Sequence, residues 1–147
     1  MNFNALQLRI AALQATLPEM VRSETEEWYK DNIRLGIVQK AKGKGTPFTP
    51  RKGEGVGGNK YGHPILNETG QLMNSITATY SKGAISVKYK VRNYRGSRDY
   101  GFIHNTEGTP TYLGGRLYKI KRPFMKDSRH LIKHLRKLIG LKIKKTL

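Results

Sequence analysis

The chain has no cysteine, only ten acidic residues among 147, and no apolar run approaching the length of a membrane span. The first absence removes disulfide frameworks, thiolate zinc sites and cysteine nucleophiles together, leaving only oxygen and nitrogen ligands for any metal. The start, MNFNALQLRI, has no basic patch followed by a purely apolar stretch, and Gln7 and Arg9 interrupt its apolar positions, so no secretory signal is expected. A soluble intracellular protein, or a component of a particle assembled inside a cell, fits these absences.

Against ten carboxylates stand 28 lysines and arginines, a formal net charge of +18. The excess is uneven. Residues 1–38 carry four basic side chains (Arg9, Arg22, Lys30, Arg34) against five acidic ones, a net of −1. Residues 39–116 carry +9, and residues 117–147 carry +10 with Asp127 as their single acid. A near-neutral first third is thus joined to a strongly basic remainder, whose field attracts polyanions or acidic protein surfaces and repels its own copies at low salt.

Apolar side chains at Leu6, Ile10, Leu13, Leu17, Met20 and Val21 recur every three or four residues, and Trp28, Leu35 and Val38 continue the stripe. Thr16 followed three residues later by Glu19 reads as a capping box with Pro18 in the first turn. The expectation is a helix over 4–15, a kink, and a second helix over 17–38, with Glu26–Lys30 and Asp31–Arg34 spaced to pair on its wet face. Residues 41–64 then hold seven glycines and three prolines and read as an extended arm with Phe48 and Tyr61 as its aromatic anchors. Asn67 or Thr69 can cap a short helix that turns Leu72 and Ile76 inward.

Alternation of Ile76, Ala78 and Tyr80, then of Ile85, Val87, Tyr89 and Val91, predicts a hairpin turning at 81–83, its outer face basic. A second hairpin is expected from 111–113 and 116–120 across Gly114-Gly115. Pro123 is expected to open a last helix carrying Phe124, Leu131, Leu135 and Leu138 inward, with Gly140 as its stop and 141–147 as a loose basic tail. Helices around a small antiparallel sheet make an α+β domain over 1–140.

Constellations with catalytic potential are sparse. Gly53, Gly55 and Gly58 spell GxGxxG, but no strand precedes them and Lys60 is in no GK[ST] context, so a flexible arm is the better reading. Glu24, Glu27 and Asp31 can share a helix face suited to a divalent metal in a nuclease, yet Lys30 and Arg34 lie among them as partners. His130 and His134 have zinc spacing without a third ligand beside them, and His104 has no nucleophile nearby. The stronger pattern is Lys88-Tyr89-Lys90, Arg92, Tyr94-Arg95, Arg98 and Tyr100, cations interleaved with rings as on nucleic-acid surfaces, although Tyr89 alternates with core positions.

ILNETGQLMNSI, residues 65–76, resembles the I-L-x-x-T-G-x-L-x-x-S-I signature of bacteriophage virion-morphogenesis or tail-completion proteins, the neck and minor-tail family. It rests on Leu66, Thr69, Gly70, Leu72, Ser75 and Ile76. Before it, TPFTPRKG is similar to that family's W-x-P stretch with Phe48 in place of tryptophan. After it, Tyr100-Gly-Phe-Ile-His104-Asn-Thr-Glu-Gly108 resembles Y-A-x-x-H-x-x-G, with Gly101 for alanine and one extra residue, and Arg122-Pro123-Phe124-Met125 resembles R-P-F-L. The resemblance implies an α+β subunit of an oligomeric ring at the head–tail junction or tail end. It implies connector, adaptor, tail-tube or tail-terminator proteins as partners, a place in the virion, no enzymatic activity, no cofactor and no membrane. The motif residues then serve folding. Interaction with neighbours or DNA falls to Lys42, Lys44, Arg51, Lys52, Lys60, Lys88, Lys90, Arg92, Arg95 and Arg98. The alternative is a basic DNA-binding accessory protein of packaging or assembly.

Overall fold

The computed structural model describes residues 2–50, 65–66, 70–89, 105, 109–113, 116–125 and 128–147. The elements run α1 (Phe3–Leu35), β1 (Ile37–Ala41), β2 (Lys44–Pro47), α2 (Gln71–Ser75), β3 (Thr77–Ser81), β4 (Ala84–Lys88), β5 (Thr109–Leu113), β6 (Arg116–Ile120) and α3 (Ser128–Thr146). The fold is α+β, and its described strands form three separate two-stranded antiparallel ribbons rather than one sheet.

The two helices expected before residue 38 are one. α1 continues through Pro18 for 33 residues, about 50 Å at 1.5 Å per residue. Thr16 caps nothing: its hydroxyl donates to the Ala12 carbonyl at 2.9 Å, and Glu19 pairs forward with Arg22. Because Pro18 lacks an N–H, the Gln14 carbonyl has no amide donor four residues on, at a turn where Gln14 is exposed. The true N-cap is Asn2, whose side-chain oxygen accepts from the Asn4 N–H at 3.1 Å. At the other end Gly36, in the left-handed conformation, donates to the Asn32 and Ile33 carbonyls and stops the helix at Leu35.

After Gly36 the chain forms a hairpin, not the beginning of an arm. β1 pairs with β2, Ile37 opposite Pro47 and Gln39 opposite Gly45, so the expected extended stretch is folded from its first residues. Gly45 is required there, since a Cβ would overlap the Val38 carbonyl. Phe48 is 4% exposed and joins the core. Residues 51–64, with Tyr61 and the GxGxxG, lie outside the described residues.

The β3–β4 hairpin turns at Lys82-Gly83, both with positive φ, the geometry whose twist suits a two-residue hairpin loop. Ala78 is buried as expected, whereas Tyr80 is 48% exposed. α2 begins on Gly70, in the left-handed region, with no side-chain cap; Asn67 and Thr69 lie outside the described residues. The β5–β6 hairpin forms across 114–115, starting two residues before the expected Thr111. α3 starts at Ser128, not at Pro123, because residues 121–125 remain non-helical to place Phe124 inside. It runs through Gly140 to Thr146, so the expected loose tail is its last two turns.

The core gathers Trp28, Tyr29 and Ile33 of α1 with Phe48, Ile65, Leu66, Leu72, Ile76, Phe124 and Leu131. Tyr89 packs inward as expected, its ring edge-on to Phe124 at 5.1 Å. Two polar residues are buried with them. The Asn32 amide donates to the Phe124 carbonyl at 2.7 Å, and its oxygen accepts the Gln39 N–H at 3.1 Å. Gln39 in turn donates to the Trp28 carbonyl at 2.8 Å and accepts from the Gly43 N–H at 2.7 Å.

Asn32→Leu keeps the volume but strips partners from two buried backbone groups, each costing about 1–3 kcal/mol. Urea denaturation is expected to show a loss of about 2–6 kcal/mol with the slope unchanged. A loss below about 1 kcal/mol would show that these bonds are dispensable.

Candidate functional site

The acidic side chains of α1 are paired within the chain. Glu26 accepts from Lys30 at 2.6 Å and from Arg22 at 3.1 Å, and its second role is to accept the Ala78 N–H at 3.0 Å. Arg22 donates to the Ala78 carbonyl at 3.1 Å, so one ion pair holds both backbone groups of a β3 residue against α1. The face expected to be wet is a docking seam. Arg34 pairs with Asp31, and with Glu27 at 3.5 Å.

Glu24 accepts from Lys42 at 2.9 Å and lies 2.8 Å from His134 Nε2, while Lys42 also reaches Asp31 at 3.2 Å. This cluster joins α1, the β1–β2 turn and α3. His134 packs its ring on Trp28 at 5.2 Å. It stands in the second turn of α3. Burial pushes the Glu24 carboxyl up, but hydrogen bonds from Lys42 and His134 outweigh it and hold the group below the ordinary carboxylate range. Glu26 is held low chiefly by Lys30 and by the Ala78 N–H. Glu24, Glu27 and Asp31 therefore face cations, and among the described residues no group of three or more His, Cys, Asp or Glu is arranged to hold a metal ion.

Of the residues expected to meet partners, Lys44 and Lys88 are exposed, on β2 and at the end of β4. Lys42 instead closes onto Glu24 and Asp31, since the tight turn after β1 points its ammonium at α1. Arg51, Lys52, Lys60, Lys90, Arg92, Arg95 and Arg98 lie outside the described residues, as do Thr69, Tyr100, His104 and Gly108. The described motif residues are core: Leu66 is 4% exposed, Leu72 3%, and Ile76 and Phe124 fully buried. Ser75 donates to the Leu72 carbonyl at 2.8 Å and closes α2. Arg122 donates to the Thr49 and Pro50 carbonyls at 2.8 and 3.3 Å, with Pro123 between it and Phe124. Asn105, the one described residue of the 100–108 motif, accepts the Met125 N–H at 3.1 Å.

The cationic face of α3 escapes a reading of the sequence. Arg129, Lys133, Arg136, Lys137 and Lys144 are exposed and fall within an arc of about 100° on a helix turning 100° per residue. Among the described residues, Lys133, Arg136, Lys137 and Lys144 have no ion-pair partner. Four of the five lie within the helix expected from the sequence, and Lys144 joins their face because residues 141–146 are helical. A second feature is a cavity of about 310 Å³ between β1–β2, residues 121–123 and the first turn of α3.

Compared with protein-family models, curated proteins and solved structures, the chain matches none. Among the described residues no helix is long and apolar enough to cross a membrane.

The depressed carboxyls set a pH dependence. Their stabilising contribution is fully present above the unfolded value of 4.5 and is lost as pH falls through the lower folded value. The urea midpoint is expected to drop on acidification below about pH 4.5, and Glu24→Gln to lower the midpoint at pH 7 while shrinking that drop. An acid dependence identical in both proteins would contradict the assignment.

Proposed function

We propose that this chain is a structural bacteriophage virion protein of the head–tail junction, a neck or tail-completion subunit. It would form an oligomeric ring that joins connector and tail proteins around the DNA path. The observation that carries the reading is the burial of the motif residues: side chains far apart in sequence, Phe48, Leu66, Leu72, Ile76 and Phe124, occupy one core. That is how a family signature behaves when it specifies a scaffold and leaves function to surfaces. The surfaces left over are cationic, at Lys44, Lys88 and the outer face of α3. They suit acidic neighbours or the phosphates of a passing duplex, and their mutual repulsion keeps free subunits apart until a particle recruits them.

The same α3 face favours a second reading, a basic DNA-binding accessory protein acting off the particle during packaging or assembly. Such a protein binds duplex without regard to sequence and with steep salt dependence; six to ten phosphate contacts cost about 10³–10⁵ in affinity between 50 and 200 mM salt.

Electron microscopy of particles produced with the gene silenced separates the two. Filled heads apart from free or malformed tails are expected if the chain closes the junction. Normal tailed particles would overturn the junction reading and transfer the weight to the accessory role.

A further inference from the structure

The cavity beside β1–β2 has a chemistry that neither reading uses. Its apolar walls are Val38, Pro47, Phe48 and Pro123, and its polar lining includes Lys40, Lys121, Arg122 and His130. Among the described residues no carboxylate lines it. Lys40 and Lys121 are exposed at its mouth and have no ion-pair partner among the described residues, in contrast to Lys42 two residues away, which is taken up by Glu24 and Asp31. The guanidinium of Arg122 donates to the Thr49 and Pro50 carbonyls at 2.8 and 3.3 Å, which ties residues 49–50 to the 121–123 wall. His130, half-buried on the first turn of α3, adds an imidazole to the lining. At about 310 Å³ the space is at the lower end of small-ligand sites, too small for a folded partner and large enough for one phosphorylated group.

We propose that this cavity is a phosphate site: it takes one phosphate group, with Lys40 and Lys121 supplying mobile ammonium donors and the apolar walls covering what is attached to the phosphate. Two flexible ammoniums match a tetrahedral, doubly charged anion, whereas a single carboxylate would leave charge uncompensated. The phosphate comes from a nucleic-acid strand or from a free phosphorylated small molecule. The site stands on its own geometry and does not depend on the virion reading.

The test uses the full chain and inorganic phosphate, followed by amide chemical shifts in NMR. Saturable shifts confined to the neighbourhood of Thr46, Thr49, Lys121 and His130 are expected. The double variant K40Q/K121Q should weaken phosphate binding by roughly tenfold or more, while the charge-matched K82Q/K142Q, on exposed lysines outside the cavity, should change it less than twofold. Shifts spread along the cationic face of α3, or equal weakening in both variants, would overturn the site and reduce it to the general field of a +18 protein. The source is settled by competition. A short oligothymidylate that displaces phosphate, with a salt slope about 2 smaller in K40Q/K121Q, assigns the site to a nucleic-acid strand. Displacement by thymidine monophosphate but not by the oligomer assigns it to a free phosphorylated molecule. Displacement by unphosphorylated thymidine as effectively as by the monophosphate would overturn a phosphate site.

Discussion

The structure depends on a pair of buried amides. Where α1 ends and β1 begins, the chain brings backbone donors and acceptors into a dry core, and each would cost free energy if left unpaired. Asn32 and Gln39, both 1% exposed, satisfy the Phe124 carbonyl, the Trp28 carbonyl, the Gly43 N–H and Gln39's own N–H. The two side chains thereby fix the β1–β2 turn and the Phe124 segment to the same two turns of α1. Phe48 and Phe124 can then close over Trp28 and Ile33, and Arg122 is brought to the Thr49 and Pro50 carbonyls. The cavity walls are a by-product of that attachment.

The second organising fact is where the negative charge goes. All five acids of residues 1–38 lie on α1, and each meets a cation from α1 or from the β1–β2 turn. Exposed pairs of this kind are worth little singly, but the Arg22–Glu26 pair also anchors both backbone groups of Ala78, and Glu24 links three elements. With these carboxylates so used, Lys44, Lys88, Lys133, Arg136, Lys137 and Lys144 have no ion-pair partner among the described residues. A near-neutral scaffold helix and a cationic exterior are two sides of one distribution.

Much of the fold is legible in the sequence because it depends on periodicity. The period of two at Ala78, Ile85 and Val87 gives the hairpin, and the period near four at Leu131 and Leu135 gives the last helix. Punctuation residues mislead where context overrides them: Pro18 and Gly140 both sit inside helices, since packing of the remaining turns outweighs a local cost of about 1–3 kcal/mol. The register at the end of α1 is misread for a different reason. Thr25, Asn32 and Gln39 are polar and buried, and hydropathy assigns such residues to the surface, so the stripe is drawn through Leu35, which is 48% exposed, instead of Tyr29 and Ile33. The cavity is illegible altogether, because Lys40, Lys121 and His130 are neighbours only after three separate segments fold together. Of the motif residues, Leu66, Leu72, Ile76 and Phe124 are buried, as apolar side chains in a spaced pattern would be.

A scaffold built from motif residues thus carries a cationic exterior, and in the proposed role that exterior meets neighbours in an assembled particle. Cross-linking mass spectrometry of purified, intact particles, with an amine-reactive reagent that reaches exposed lysines, tests this division of labour most directly. Several copies of the chain per particle are predicted, with cross-links from Lys44, Lys88, Lys133 and Lys137 to a second copy and to head–tail junction proteins. Absence of the chain from intact tailed particles would contradict it.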